Sequence, residues 1–498
     1  MELKFEKTEI SCLDAALQDI QNSEQTQEIK LPDGMPDAAR IIASWGQVIL
    51  RGKEWRSDSI SFSGGIMVWV LYAPEDGSQE RCIDSWIPFQ MRWDLPEDCP
   101  EGKIRIRCLP RFVDARIVSP RKIMVRTGIG AMAEAFVPRT AEVFAAAGVP
   151  SEIELLRSTY PVRLYKEAGE KNFLVDEELS LPDSVPQPEA VTYYQMNPKL
   201  SDKKVLGNKV VFRGNGNLHL LYRSEEGQLH GWDFDLPFSQ FAQLEGEYGS
   251  DAQADMILQP TNLELELDEE GRFHLKGSMV AQYVITDKQM LELVEDAYSP
   301  ARELGIRMEE LELPTVLETR RENLYGEQTI PAQANIAVDT NFMPDFPRKR
   351  RTGDSLEMEI PGTFQVLYYG EDGVLRSGTA RWEGQQRLGA DENSMMALIP
   401  MGSEAQAMTG NGQILAKTEI PMEMTARTLQ RIPMLTDVEV GEAKKQDPNR
   451  PNLILRRMGE DSLWDLAKRS NSTMDAIRRV NQLQGDPAPG QMLLIPVS

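Results

Sequence analysis

The sequence predicts a mainly β protein: three tandem antiparallel β-sandwich-like domains, then a small α+β module in strand–helix–helix–strand order. Three observations lead there. Short runs of aromatic and branched residues alternate with turn residues along most of the 498-residue chain. The chain repeats itself at an interval of 150 residues. Composition and charge change together after Val440.

The repeat is carried by short motifs that keep one offset. Leu31-Pro32-Asp33-Gly34-Met35-Pro36 returns 150 positions later as Leu181-Pro182-Asp183-Ser184-Val185-Pro186. At the same offset, Leu71-Tyr72-Ala73-Pro74-Glu75-Asp76-Gly77 returns as Leu221-Tyr222-Arg223-Ser224-Glu225-Glu226-Gly227. A third version, Leu367-Tyr368-Tyr369-Gly370-Glu371-Asp372-Gly373, lies 146 positions beyond the second and lacks the L-P-D-x-x-P opening. A tryptophan follows each: Trp86, Trp232 and Trp382. The spacing divides the chain into residues 1–165, 166–312 and 313–440, each large enough to own a core.

Within a unit, Leu218–Tyr222 and Thr363–Tyr368 have strand composition. The acidic pair and glycine after them predict a hairpin turn, because glycine takes positive φ freely. Lys103–Cys108, Asn262–Leu267, Gly271–Tyr283 and Ile414–Thr418 read as further strands. Lys288–Ala297 is expected to be a short helix, with Met290, Leu291, Val294 and Ala297 at helical spacing. Thr127–Ala133 carries G-x-G-x-x-A, but no βαβ series surrounds it. It reads as a loop of a β domain leading into a helix, not as a nucleotide site. Arg348-Lys349-Arg350-Arg351 reads as a solvated basic loop.

Residues 441–450 form a polar, proline-containing linker to the module at 451–498. There Leu453–Leu455 begins a strand. Ser462 caps a helix through Arg469, with Asp465 three residues on. Ser472 and Asp475 repeat the device for a second helix lined by Met474, Ile477 and Val480. Pro489-Gly490 turns the chain into a last strand, Met492–Ile495. So small a module gains a core only if both helices pack on the two-stranded sheet.

Charge bounds the function. Lys and Arg number 54 against 78 Asp and Glu, a net charge of −24, which argues against sheathing nucleic acid. Arg450–Ser498 holds seven basic and five acidic residues, so the module is +2 and the remainder −26. His219, His230 and His274 are the only histidines, a thin supply for catalysis or a zinc site. They read as structural, with His219 and His230 on adjoining strands. Tyr72, Tyr222 and Tyr368 read as core or hairpin-packing aromatics. Cys12, Cys82, Cys99 and Cys108 form no C-x-x-C pair and read as buried thiols in a reducing compartment. The first residues lack the cationic and apolar stretches of a signal peptide, and no run spans a bilayer, so a cytoplasmic location is expected. No G-x-S-x-G, P-loop or H-E-x-x-H occurs. We expect no catalytic residues, metal site or cofactor, and a non-enzymatic role.

The L-P-D-x-x-P opening, the glycine-flanked strands Gly46–Gly52 and Gly207–Gly214, the tyrosine hairpin, and the P-F pairs Pro88-Phe89 and Pro237-Phe238 resemble the SPOCS domain. That domain is associated with spore-coat and cell-envelope proteins of endospore formers, and the likeness covers residues 25–440 in three copies. The E-D-S-L-W-D-L-A-K-R, A-I-R-R-V-N and P-G-Q-M-L-L-I-P segments resemble a LysM module over residues 453–496. Together they resemble the SipL-like spore-coat morphogenetic family. That resemblance implies a sporulation scaffold in the mother cell, at the forespore surface, with the LysM head docking onto the ATPase that forms the coat basement. LysM modules also bind N-acetylglucosamine polymers, so peptidoglycan or a chitin-like glycan is the alternative ligand. By resemblance, the groove for either ligand is Gly459, Glu460, Asp461, Ser462 and Leu463 facing Asn481, Gln482, Leu483, Pro489 and Gly490. Glu460 stands where the family usually has glycine, and its carboxylate narrows the groove or aims it at another ligand.

Overall fold

The computed structural model describes residues 6–145, 150, 152–352, 355–387, 395–401, 403–445 and 451–497; residues 446–450 of the expected linker lie outside them. The first part of the chain supplies β1 (Glu6–Lys30), β2 (Ala38–Trp55), β3 (Ser59–Pro74), β4 (Arg81–Asp94), β5 (Lys103–Ser119) and β6 (Lys122–Ala145). Next come β7 (Glu154–Leu179), β8 (Pro188–Ser224), β9 (Leu229–Tyr248), β10 (Gln253–Leu267) and β11 (Phe273–Tyr298). Then follow β12 (Arg302–Pro331), β13 (Ala334–Pro344), β14 (Arg348–Thr352), β15 (Ser355–Gly370), β16 (Leu375–Arg387), β17 (Met395–Pro400), β18 (Glu404–Gly410) and β19 (Gln413–Ala443). The module closes the chain with β20 (Leu453–Arg457), α1 (Leu463–Arg469), α2 (Met474–Asn481) and β21 (Met492–Pro496).

One antiparallel scheme recurs along the chain. A long strand pairs with a long strand that closes the same stretch: β1 with β6, β7 with β11 and β12 with β19. The closing strand also receives a shorter neighbour, β5, β10 or β18. Between them sit the hairpins that carry the tyrosine motif: β2-β3-β4, β8-β9, and β13-β15-β16 with β14.

The repeated motifs have a physical cause. Pro32 and Pro182 open tight turns, closed by Met35 N–H on the Pro32 carbonyl (3.0 Å) and Val185 N–H on the Pro182 carbonyl (3.1 Å). The Tyr72 and Tyr222 rings are buried, and a buried phenol needs an acceptor. Tyr72 Oη donates to the Pro36 carbonyl and Tyr222 Oη to the Pro186 carbonyl, both at 3.0 Å. Gly77, Gly227 and Gly373 take φ of 73°, 81° and 73° at the hairpin turns, where a side chain would be strained.

The long ribbons share a core. Ile10 and Cys12 of β1, Val162 and Leu164 of β7, and Leu311 and Leu313 of β12 are successive inward residues on their strands. They meet Val143 of β6, Leu291 and Leu293 of β11, and Ile432 and Met434 of β19. The largest cluster, built on β8–β11, draws in Trp45, Trp69 and Leu71 from β2 and β3, and Leu367 and Leu375 from β15 and β16. Trp45 stacks on Tyr193 at 4.9 Å between centroids. The first unit (Phe62, Ile66, Trp93) and the third (Ile360, Phe364, Ile414) also have clusters of their own, whereas the two-stranded β8–β9 hairpin needs neighbours to cover it.

Other expectations are corrected. Lys288–Ala297 is the end of β11, paired with β7. A register shift at Val294–Asp296 follows the alternation of Leu291 and Leu293, so Val294 and Ala297 also turn inward and imitate a helical spacing. Thr127–Ala133 lies inside β6, where Gly128 makes room for the Phe112 ring. The basic run is the edge strand β14, not a loop. Strands β7 and β12 run across the boundaries expected at 165/166 and 312/313.

Candidate functional site

The terminal module assembles as the sequence requires. Ser462 Oγ accepts the Asp465 N–H at 3.1 Å, and the Asp465 carboxylate accepts the Ser462 N–H at 3.2 Å. This reciprocal cap fixes the start of α1 and lowers the Asp465 pKa. For α2 the cap is Thr473, one residue beyond the expected Ser472, with its hydroxyl accepting the Ala476 N–H at 3.0 Å. Ser472 is displaced from that duty because it is fully buried, its N–H held by the Ala467 carbonyl. Met458, Leu463, Trp464, Leu466, Ala467, Ile477, Leu493 and Ile495 form the core between helices and sheet.

The body clamps the module from the α1 side. Asp296 of β11 accepts from Trp464 Nε1 at 2.8 Å and from Lys468 Nζ at 2.6 Å. Tyr298 Oη donates to the Ser472 carbonyl at 2.8 Å, and its ring meets Trp464 edge-on at 4.7 Å. Lys444 Nζ adds a bond to the Asn471 amide oxygen at 2.9 Å.

The ten groove residues expected by resemblance fall into two groups. Gly459, Glu460, Asp461, Ser462, Gln482 and Pro489 are exposed, and Gly490 is half-buried at a turn with φ of 86°. The two loops lie side by side, joined by Met458 N–H to the Gln491 carbonyl at 2.8 Å and Gly490 N–H to the Met458 carbonyl at 2.9 Å. Asp461 pairs with Arg469. The remainder serve the fold. Leu463 and Leu483 pack in the core. Asn481 spends its amide on the backbone of Leu494, accepting its N–H at 2.8 Å and donating to its carbonyl at 2.6 Å.

Elsewhere the body holds ionisable groups that no sequence spacing announces. His219 of β8 sits between Asp233 of β9 (2.9 Å from Nδ1) and Asp339 of β13 (2.8 Å from Nε2). Burial opposes its charge, but Asp339 and Asp233 outweigh burial and push its pKa up to about 10. This cation ties β8 and β9 to β13 beside a polar cleft of about 420 Å³. A second buried chain begins at Glu134 of β6, 2.6 Å from Arg105 of β5. Arg105 meets Asp255 of β10 at 2.7 Å. Asp255 hydrogen-bonds Glu423 of β19, which also meets Lys203 Nζ at 2.6 Å and Arg321 Nε at 2.9 Å. Burial and the Asp255 carboxylate push Glu423 up to about 7.

No cluster among the described residues is suited to a metal ion. Burial raises the pKa of the Cys12, Cys82 and Cys108 thiols. No helix among the described residues is long and apolar enough to cross a membrane.

The family model of the SipL SPOCS domain matches residues 189–266, from the start of β8 almost to the end of β10. The LysM domain model matches residues 460–496. The chain carries a SPOCS domain and a C-terminal LysM domain. No curated protein and no solved structure matches the chain. SPOCS and LysM are binding or scaffold domains, and their combination indicates a sporulation-related role in glycan binding or protein interaction.

Proposed function

We propose that this protein is a non-enzymatic morphogenetic scaffold of sporulation, made of three SPOCS-like units and a LysM head. The units run from β1 to β6, β7 to β11 and β12 to β19, the recurrence of one ribbon scheme supporting the count. The head docks onto the ATPase that forms the basement of the spore coat, in the mother-cell cytoplasm at the forespore surface.

One observation carries this reading. The LysM domain is fixed to the body through Trp464, Lys468 and Ser472, while its two adjoining loops stay exposed. A head anchored by one side and open on the other is arranged to hold a partner at a set orientation. Glu460 brings a carboxylate to the loop beside the Asp461–Arg469 pair, favouring a partner with basic or hydrogen-donating groups over a neutral sugar.

The alternative is glycan binding, in which the loops hold N-acetylglucosamine polymers of peptidoglycan. Asp461→Arg in the full chain separates the two from a loss of fold, because Asp461 is exposed. Reduced binding to the purified basement ATPase, with unchanged thermal unfolding, is the expected result. Retained ATPase binding excludes the loops as the docking site. Wild-type binding to insoluble peptidoglycan but not to the ATPase establishes the alternative.

A further inference from the structure

The exposed face of the LysM sheet lies on the opposite side from its helices. Strands β20 and β21 pair Leu453 with Pro496, Leu455 with Leu494 and Arg457 with Met492. Ile454, Leu493 and Ile495 point to the module core. The alternate positions Leu453, Leu455, Met492 and Leu494 therefore point out, and all four are exposed, Leu455 to 61%. Four large aliphatic side chains on a ten-residue sheet form a patch of the kind that marks an interaction surface. The side chain of Asn481 binds the backbone of β21 at Leu494, whereas no strand among the described residues pairs with the outer edge of β20. At the end of that edge stand Arg456 and Arg457. Among the described residues Arg456 has no ionic partner, and the side chain of Arg457 hydrogen-bonds the Gly490 carbonyl.

A complementary edge lies on the body. Among the described residues strand β12 pairs only with β19, which leaves its other edge without a strand partner. Its stretch Ile306-Arg307-Met308-Glu309-Glu310 is exposed throughout, and neither glutamate has an ionic partner among the described residues. An open strand edge is a template for another strand. Set parallel to Leu453-Ile454-Leu455-Arg456-Arg457, it places Leu453 beside Ile306 and Leu455 beside Met308. Arg456 then meets Glu309, and Arg457 meets Glu310. Within one chain the two edges are not paired, because the head is held at Asp296 and Tyr298.

We infer that β20 of one copy of this chain adds onto the open edge of β12 in a second copy. The contact joins different surfaces of the two copies, so it does not close on itself and builds chains. The acidic charge of the rest of the molecule opposes adhesion to an anionic membrane, the other occupant an apolar and basic face invites.

Sedimentation velocity of the full chain tests this. The wild type is expected to gain mass with concentration at low ionic strength and to lose that gain in high salt. Arg456→Glu/Arg457→Glu and Glu309→Arg/Glu310→Arg each remain monomeric alone, with association weakened by about tenfold or more. Mixing the two restores association, since the reversed head of one fits the reversed edge of the other. Leu455→Gln, at an exposed position, also weakens association without changing thermal unfolding. A wild type that stays monomeric, or reversed variants that fail to associate when mixed, overturns the inference. So does wild-type protein that binds phosphatidylglycerol vesicles yet never self-associates.

Discussion

Tyr222 donates its hydroxyl to the carbonyl of Pro186 at 3.0 Å, across 36 residues of sequence. Tyr72 does the same to Pro36 over the same separation. The two halves of the repeated motif are thus one structural device, a proline turn held down by the hairpin behind it. Tyr222→Phe and Tyr72→Phe leave the proline carbonyls without that donor. Each is expected to cost about 1 kcal/mol in urea unfolding. Tyr368→Phe serves as the control, because Tyr368 has no such bond among the described residues and its unit lacks the L-P-D-x-x-P opening.

The buried chain through Glu423 predicts a pH dependence. Its folded pKa is pushed from 4.5 up to about 7. Its contribution to stability is complete below 4.5, where both states carry the proton, and is lost as pH rises through 7. Glu423→Gln keeps a neutral hydrogen-bonding group and removes the titration. The variant's urea midpoint is expected to depend less on pH between those values than the wild type's. An unchanged slope means that another group titrates there.

Asp296 joins the head to the body. Asp296→Ala leaves Lys468 Nζ and Trp464 Nε1 without their shared acceptor, at a cost on the order of 1–3 kcal/mol. Amide exchange is expected to quicken in α1 and its flanks, while β2 and β3 keep their protection. Uniform loss of protection throughout the chain contradicts a local clamp.

Asn481 is expected to matter for stability more than for ligand binding. Asn481→Ala removes the two bonds that fasten β21 to α2, destabilising the LysM domain by roughly 1–3 kcal/mol. Amide exchange in α2 and β21 reads this directly. Gln482→Ala, at an exposed position, leaves that exchange unchanged.

Much of this molecule is legible in its sequence, and the limits have physical causes. The LysM order could be read because Ser462, Asp465, Pro489 and Gly490 act locally, through caps and turns. The tyrosine motif could be found because it recurs, although its bond to proline could not. The helix expected at Lys288–Ala297 failed because a register shift in a strand can copy a helical spacing over ten residues. The continuity of β7 across 165/166 is not legible in the motif spacing, because it rests on pairing with β11. The His219 and Glu423 networks were invisible, since their partners lie on strands far apart in sequence. Of the ten positions expected to line a groove, those on the two loops are exposed or, at Gly490, half-buried, whereas Leu463, Leu483 and Asn481 are committed to the domain's own packing.

We propose that the LysM head meets a protein while the SPOCS-like body serves as its scaffold. Co-sedimentation of the full chain with polymerised basement ATPase and, in parallel, with insoluble peptidoglycan tests it most directly. Saturable binding to the ATPase, lost in Asp461→Arg, and little retention on peptidoglycan are the expected results. Saturable retention on peptidoglycan with no binding to the ATPase would contradict it.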